Sequence, residues 1–202
     1  MRIAITGGIG SGKSFVCRML AERGIDIYSC DTEAQRIIAT HPGVQSELSA
    51  LVGDDVYLPE GTPMPFGAGR RINKSLLSAF MHRGPHFAAK VNAIVHPRVA
   101  EDFLESGRRW MECAILFESG FDRYVDCIVN ITCPLEERIA RIMARDHCDR
   151  STALRWIGMQ ISEEERCARS HHIIHNDGSQ PLLPQIERLL LCVKTSIDAA
   201  RG

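Results

Sequence analysis

The chain has 202 residues, 45% of them hydrophobic, which suits one α/β domain with an inserted subdomain. Its formal net charge of −1 argues against a nucleic-acid groove or a patch for a membrane surface. The eight cysteines are scattered without a C-x-x-C pair, which favours reduced core thiols over a metal site. Met1 leads directly into the first predicted strand and no apolar run is long enough to cross a bilayer, so we expect no signal peptide and a cytoplasmic location.

The first predicted elements are a strand, a glycine-rich loop and a helix. Residues 2–6 are apolar enough for a short buried strand, and residues 15–23 show an amphipathic helical pattern that Gly24 ends. Between them, residues 7–14 match G-x-x-x-x-G-K-[ST], the phosphate-binding loop. A glycine-rich turn with a chance lysine is the alternative, but the strand–loop–helix setting favours a nucleoside triphosphate site.

The residue types in this loop suit phosphate binding. Glycines let successive backbone N–H groups turn inward, and the following helix presents its positive end to the same anion. Lys13 adds a mobile charge for the β- and γ-phosphates, and the Ser14 hydroxyl can ligate Mg²⁺. The predicted nucleotide-binding residues of the loop are Gly8, Ile9, Gly10, Ser11, Gly12, Lys13, Ser14 and Phe15.

Asp31 follows the second predicted strand, which covers residues 25–29. Ligands of open α/β sheets bind at the carboxyl ends of strands, and a carboxylate there can accept the proton of a substrate hydroxyl. Asp31 could equally cap the helix that follows it. Position alone does not separate the two interpretations.

The middle of the chain predicts a helical insertion. A short helix covers residues 41–56, and a loop rich in breakers follows it; these breakers are Pro59, Gly61, Pro63, Pro65, Gly67 and Gly69. Helical patterns then cover residues 75–82 and 86–94, and His96-Pro97 opens a third, with Pro97 at its first position. We expect this insertion to bind the acceptor, although His96 is equally consistent with a packing role.

Two further strands complete the centre of the sheet. Residues 111–117 predict the third strand, which ends at Glu118, and residues 126–132 predict the fourth. Their near-continuous apolar runs indicate a parallel sheet covered on both faces. Glu118 could hold a magnesium-bound water or a substrate hydroxyl, or it could pair with an arginine.

The helix predicted from residue 135 carries Arg138, Arg141 and Arg145 on one face. Arginines on one helix face suit a lid that closes over transferring phosphates, whereas Glu137 and Asp146 would also balance them on an ordinary surface helix. The phosphate-binding loop favours the lid.

The C-terminal part predicts two helices, a strand and a last helix. Ser151 and Ser162 are the predicted caps of the first two helices, and residues 172–175 are the fifth strand. Asn176 and Gly178, in the turn after that strand, could lie against an adenine edge or could be ordinary turn residues.

Taken together, these residues resemble the dephospho-coenzyme A kinase family. The matching positions run in the family's order along nearly the whole chain: residues 5–14, Asp31, His96-Pro97, residues 115–118, Arg141, Arg145-Asp146, Gln160, Asn176 and Gly178. The chain departs from the family pattern at Ser29, where the first Asp of Asp-Ala-Asp is usual, and at Phe15, where Thr is usual.

The resemblance implies ATP-dependent phosphorylation of the 3′-hydroxyl of dephospho-coenzyme A, with ATP and Mg²⁺ as cofactors. It also implies a P-loop five-stranded parallel core at residues 1–58, 109–134 and 170–202, an acceptor-binding insertion at 59–108 and a lid at 135–169. The expected partner is this small substrate rather than nucleic acid or membrane, and the chain is expected to be a monomer or a weak homo-oligomer.

The resemblance also suggests a role for each site residue. Asp31 would be the base and acceptor anchor, with Lys13 and Arg141 as the other catalytic residues. The residues expected to contact ATP outside the loop are Arg145, Asn176 and Gly178, and those expected to contact the acceptor are His96 and Glu118.

Overall fold

The computed structural model describes residues 1–59, 61–63 and 69–199, and its centre is a five-stranded sheet. The strands are β1 Ile3–Thr6, β2 Ile27–Ser29, β3 Trp110–Glu112, β4 Cys127–Thr132 and β5 His172–His175. Their order is β2-β3-β1-β4-β5, and the pairings of β1 with β3, β1 with β4 and β4 with β5 are parallel. The predicted α/β class with a five-stranded parallel core is confirmed.

Helices connect these strands. They are α1 Lys13–Ala21, α2 Cys30–Thr40, α3 Pro42–Val52, α4 Lys74–Met81, α5 Pro85–Glu105, α6 Leu135–Asp146, α7 Arg150–Ile157, α8 Glu163–Ala168 and α9 Leu182–Ala199. Short 3-10 turns cover Asp54–Val56 and Phe121–Tyr124. Among the described residues, no helix combines the length and the apolar character that crossing a membrane requires.

The chain divides into two compact units. The first unit, residues 1–28 and 108–202, contains most of the sheet, and its main core lies where β1, β4 and β5 meet α1 and α9. The buried residues of this core include Ile3, Ile5, Val16, Leu20, Val129, Ile131, Ile174, Ile186, Leu189 and Val193. The alternation of side chains along a strand explains why these residues face the core, because the residues of β1 and β4 on this face are two positions apart.

The second unit, residues 29–107, is helical and begins earlier than predicted. Residues 29–58, assigned to the core from the sequence, pack with the predicted insertion, since α2 and α3 lie against α5. The Tyr57 hydroxyl donates to the Ile38 carbonyl at 3.0 Å, and Arg36 Nη2 lies 2.6 Å from Asp102 Oδ1. The boundary predicted at residue 59 is therefore corrected to residue 29. Of the predicted loop breakers, Pro65 and Gly67 lie outside the described residues, as do residues 200–202 of the predicted core.

Helix α5 replaces the two helices predicted around Pro97, which lies inside it. A proline in a helix interior removes one hydrogen bond and costs about 3 kcal/mol. The helix nevertheless continues, because Val91, Val95, Val99 and Phe103 recur every four residues and are all buried along one side. Burial of that face outweighs the cost of the proline, and His96 is consequently a residue of the helix interior.

Two further boundaries differ from the prediction. Strand β3 ends at Glu112 rather than Glu118, because its partner β1 ends at Thr6 and Cys113 N makes a last bond to the Ile5 carbonyl at 3.0 Å. Helix α7 is capped by Asp149, not by Ser151: Asp149 Oδ1 accepts from Thr152 N at 2.7 Å. The predicted Ser162 cap of α8 is confirmed, with Ser162 Oγ accepting from Glu165 N at 3.1 Å.

Candidate functional site

The phosphate-binding loop lies between β1 and α1, as predicted. Helix α1 begins at Lys13, and its N-cap Gly12 has φ +87°, in the left-handed region that favours glycine. A Cβ atom at residue 12 would overlap the Asn176 amide, so both conformation and space require glycine there. The N-terminus of α1 therefore points into the space that the loop surrounds, where its positive end favours an anion.

The carbonyl oxygens of the loop are held by side chains from outside it. Arg138 Nε donates to the Ile9 carbonyl at 2.9 Å, and Asn176 Nδ2 donates to the Ser11 carbonyl at 2.8 Å. In a planar trans peptide the C=O and the next N–H point in opposite directions. The N–H groups of Gly10 and Gly12 consequently point away from these donors, which is the arrangement that receives an anion.

Ile9 and Ser11 have other roles in the loop than the sequence suggested. The Ile9 N–H donates to Gln160 Oε1 at 2.8 Å, so both main-chain groups of Ile9 are bonded to protein side chains. The Ser11 N–H closes a turn on the Gly8 carbonyl at 3.0 Å. Among the described residues of the loop, the N–H groups that point away from these partners belong to its glycines and to the first turn of α1.

Lys13 forms an ion pair with Glu112, the last residue of β3. Each side chain keeps only 11% of its exposure, so the pair is largely shielded from water. The register of the sheet explains their proximity, since Glu112 lies opposite Ile5, just before the loop. Sequence reasoning assigned the acidic role to Glu118 and missed Glu112, although a carboxylate within an apolar strand was a visible signal.

Ser14 and Phe15 are the exposed residues of the loop's helical end. Both lie in the first turn of α1, and Phe15 keeps 48% of its exposure. The Ser14 hydroxyl is therefore accessible to a ligand. No group of three or more His, Cys, Asp or Glu residues that could hold a metal ion occurs in the described part of the chain.

The three arginines of α6 have different surroundings. Arg138 is 4% exposed and its pKa is lowered by burial, whereas Arg145 is largely exposed and pairs with the adjacent Asp146 at 2.7 Å. Arg141 is half-buried: its Nη2 donates to the Asn176 carbonyl at 2.9 Å and to Glu137 Oε2 at 3.0 Å. The sequence predicted that the three arginines share one face; in the structure, one guanidinium is buried, one is half-buried and one is exposed.

A buried ionic cluster joins α6 to α8. Glu163 Oε2 accepts from Arg138 Nη1 at 3.2 Å and from Arg166 Nη1 at 2.7 Å, and Arg166 is 1% exposed. Asn130 Nδ2 bonds the other Glu163 oxygen at 3.0 Å. The predicted lid segment is therefore anchored within the first unit by buried polar contacts that the sequence pattern did not reveal.

The residues predicted to contact the acceptor lie in two places. Asp31 is exposed in the first turn of α2, two residues past the N-cap Ser29, so the capping interpretation is wrong. His96 lies inside α5, and burial lowers its pKa. Both belong to the second unit, whereas Glu118 belongs to the first, where its Oε1 accepts from Ile161 N at 3.0 Å.

The turn after β5 carries the remaining predicted residues. Asn176 N bonds the Thr132 carbonyl at 2.9 Å, which continues the β4–β5 pairing, and its side chain reaches the loop. Gly178 has φ +77° and is exposed. The structure thus brings Asn176, Arg141, Lys13 and the loop together in one unit.

A cavity of about 640 Å³ lies beside this arrangement. Its lining includes Cys133, Arg138, Gln160, Glu163 and Asp177, and none of residues 8–15. Burial raises the pKa of the Cys133 thiol to about 11. The cavity therefore lies on the side of the loop that Arg138 and Gln160 contact, and it is separate from the position that the loop N–H groups face.

The chain is similar to a family of known proteins. The model of the dephospho-CoA kinase family matches residues 1–181. A dephospho-CoA kinase of Bacteroides fragilis is 40% identical over 201 residues, covering 94% of this chain and 91% of that protein. One from Chlorobaculum tepidum is 32% identical over 207 residues, covering 97% and 96%.

Solved structures agree in fold. The protein TT1252 of Thermus thermophilus superposes with a TM-score of 0.76 at 29% identity, covering 97% of each chain. A dephospho-CoA kinase of Campylobacter jejuni gives a TM-score of 0.60 at 19% identity, covering 100% of this chain and 98% of that one. A shikimate kinase of Acinetobacter baumannii gives 0.53 at 16%, covering 96% and 93%, which shows that this fold also occurs in kinases of another acceptor.

Proposed function

The chain belongs to the dephospho-CoA kinase family, whose members phosphorylate dephospho-CoA with ATP, and we propose that it does so through the loop of residues 7–14 and Asp31. The observation that carries this proposal is the family match over residues 1–181, together with a loop whose Ile9 and Ser11 carbonyls already accept hydrogen bonds from side chains outside it. The acceptor group is the 3′-hydroxyl of the ribose, and the products are coenzyme A and ADP.

The phosphates of ATP bind at the inward N–H groups of the loop and at the N-terminus of α1. Lys13 leaves its resting contact with Glu112 to reach the β- and γ-phosphates, since its flexible stem ends in a compact charge. The exchange replaces one anionic partner by another, so the ammonium is never left without a counter-charge. The adenine lies by the turn at Asn176 and Gly178.

Magnesium fits the donors present at the loop. Mg²⁺ is usually held by one or two protein oxygens, by phosphates and by water, and the exposed Ser14 hydroxyl supplies one such oxygen. When bound, the ion would neutralise charge on the β- and γ-phosphates. A dedicated cage of protein ligands is not needed for this role.

Asp31 accepts the proton of the acceptor hydroxyl. As the 3′-oxygen attacks the γ-phosphorus, the O–H bond breaks to the Asp31 carboxylate and the bond from the γ-phosphorus to the bridging oxygen of ADP breaks. The exposure of Asp31 in the first turn of α2 supports this role, because a carboxylate there is accessible to a substrate hydroxyl. His96 and Glu118 are the further candidates for acceptor contacts.

The arginines of α6 stabilise the transferring group. Arg141 already bonds the Asn176 carbonyl and lies 3.4 Å from the Ser11 carbonyl, so a guanidinium is held at the loop before nucleotide arrives. Arg145, one turn later, is the more exposed of the two. We propose a cytoplasmic enzyme that is a monomer or weak homo-oligomer and has no nucleic-acid or membrane partner.

A coupled ADP-release assay tests this function. With ATP and Mg²⁺, we expect turnover that requires dephospho-CoA, and a product heavier by one phosphoryl group whose 3′ position is confirmed by fragmentation in the mass spectrometer. Turnover with a nucleoside monophosphate or another alcohol instead would keep the kinase and change its acceptor. ADP release that is indifferent to every acceptor would contradict the proposal.

A further inference from the structure

The Ile9 residue of the phosphate-binding loop is held on both sides by side chains from a distant part of the sequence. Gln160 Oε1 accepts from the Ile9 N–H at 2.8 Å, and Arg138 Nε donates to the Ile9 carbonyl at 2.9 Å. These two bonds belong to successive peptide planes, so together they fix the chain direction on either side of the Ile9 Cα.

Gln160 is itself held by the protein around it. Its Nε2 donates to the Ala114 carbonyl at 3.1 Å, and the next residue, Ile161, bonds Glu118 Oε1 through its N–H and Arg166 Nη2 through its carbonyl. The short segment between α7 and α8 is thus tied to the turn after β3. Gln160 connects that turn to the loop through one amide group.

Arg138 is also held by the protein around it. Its guanidinium is buried against Gly8, where a Cβ atom would overlap it, and its Nη1 bonds Glu163 at 3.2 Å. Glycine at residue 8 is consequently explained by the approach of Arg138 rather than by the phosphate. Gln160 and Arg138, each held by other residues, therefore form a clamp on the two main-chain groups of Ile9.

We propose that Gln160 and Arg138 are positioning residues that set the phosphate-binding conformation of the loop before nucleotide binds; this rests on the proposed function, in which the anion is the phosphate of ATP. The Ile9 carbonyl, drawn outward by Arg138, turns the Gly10 N–H inward. The Ile9 N–H, held outward by Gln160, keeps the Gly8 carbonyl on the opposite side, where it accepts from Ser11 N at 3.0 Å. Loss of Gln160 frees the plane between Gly8 and Ile9 to rotate, and that rotation breaks the turn.

The test uses the full chain and ADP as the probe. In Gln160→Leu we expect ADP to bind about tenfold more weakly, equivalent to 1.4 kcal/mol, because nucleotide binding must then restore the loop conformation. The KM for ATP should rise with it while the KM for dephospho-CoA stays near that of the parent. Amide hydrogen exchange followed by NMR should show faster exchange at Ile9.

A conservative variant and a matched control separate positioning from simple support of the fold. Gln160→Glu retains an oxygen for the Ile9 N–H but not the donor to Ala114, so it should keep slow exchange at Ile9 and bind ADP more tightly than Gln160→Leu does. Gln45→Leu removes another glutamine bonded to a main-chain carbonyl, that of Ala39, and should leave ADP binding unchanged. Should Gln160→Leu not fold, Gln160→Asn, whose amide is one methylene too short, replaces it in the comparison.

Two results would overturn the proposal. One is a variant at Gln160 that lowers the melting temperature yet binds ADP as the parent does. The other is unchanged exchange at Ile9 in Gln160→Leu. ADP binding needs no acceptor, so a parent chain that binds ADP but does not phosphorylate dephospho-CoA would refute the proposed function and leave this proposal open to the same measurement.

Discussion

The first unit, which carries the phosphate-binding loop, and the helical second unit differ in how their functional side chains are held. In the first unit, Lys13, Arg138 and Asn176 are engaged in ion pairs or hydrogen bonds with the loop or with the strand beside it. In the second unit, Asp31 is exposed in a first helical turn. The side chains at the loop are therefore held in place by the protein itself.

On the proposed function, this difference follows from what each unit binds. A triphosphate carries several charges in a fixed pattern, and binding it without loss of affinity requires N–H groups that already point inward. An acceptor hydroxyl presents one proton, so one accessible carboxylate suffices for it. Preorganisation is concentrated where the ligand offers many contacts, and the four predictions below test that contrast.

The largest effect is expected from Lys13. Lys13→Ala should lower kcat/KM by about 10³ to 10⁵-fold, the range for removing a cation from a transferring phosphoryl group. It should also lower the free energy of unfolding by about 1–3 kcal/mol, because Glu112 loses its ion pair with Lys13 in a largely buried position. Coupled ADP release and urea unfolding measure the two effects.

A double variant, Lys13→Ala with Glu112→Gln, separates the effect on activity from the effect on stability. It should regain much of the stability and none of the activity, since a neutral amide tolerates burial better than a carboxylate without its partner. Recovery of turnover in the double variant would mean that Lys13 serves only to neutralise Glu112.

Asp31 gives the next effect and the sharpest contrast between the units. Asp31→Asn should lower kcat by about 10² to 10⁴-fold, as expected for loss of a general base, with little change in the KM for ATP. Glu33→Gln makes the same chemical change in the same turn of α2 and should leave kcat near that of the parent. Near-normal turnover in Asp31→Asn would show that the base is another group.

The same contrast explains how much could be predicted from the sequence. The loop, the individual strands and the cap of α8 could be predicted because each depends on residues close together in the chain, such as Ser162 and Glu165. The clamp could not, because Gln160 and Ile9 are 151 positions apart and glutamine has no pattern that indicates a loop partner. Sequence separation, rather than chemistry, set that limit.

The errors have an equally physical origin. Pro97 predicted a helix start, but an interior proline is tolerated when the buried valines on either side of it keep the helix in place. Glu118 was expected at a strand end because the apolar run 111–117 reads as one strand. Its last residues are buried in a turn instead, and local hydrophobicity does not distinguish a strand from a buried turn.

Glu163 is expected to affect stability rather than turnover directly. Glu163→Gln should lower the free energy of unfolding by about 3 kcal/mol, because two buried guanidinium groups lose their shared counter-charge. Glu165→Gln on the same helix breaks an exposed pair with Arg169 and should cost about 0–1 kcal/mol. Equal costs for both variants, measured by urea unfolding, would contradict the assignment of the cluster as the anchor of α8.

The smallest effect concerns pH and lies in the second unit. Burial lowers the pKa of His96 from its ordinary value near 6.5, so the unfolded chain takes up this proton before the folded one as pH falls. Above that value both states are neutral and His96 contributes nothing to the pH dependence. As pH falls through 6.5 and towards the lower folded pKa, His96 progressively destabilises the fold. Urea unfolding between pH 7.5 and 5 should therefore show a smaller loss of stability in His96→Gln than in the parent, whatever the absolute stability of the variant. An identical slope would mean that His96 is protonated in the folded chain as readily as in the unfolded one, and that α5 can open locally at that residue.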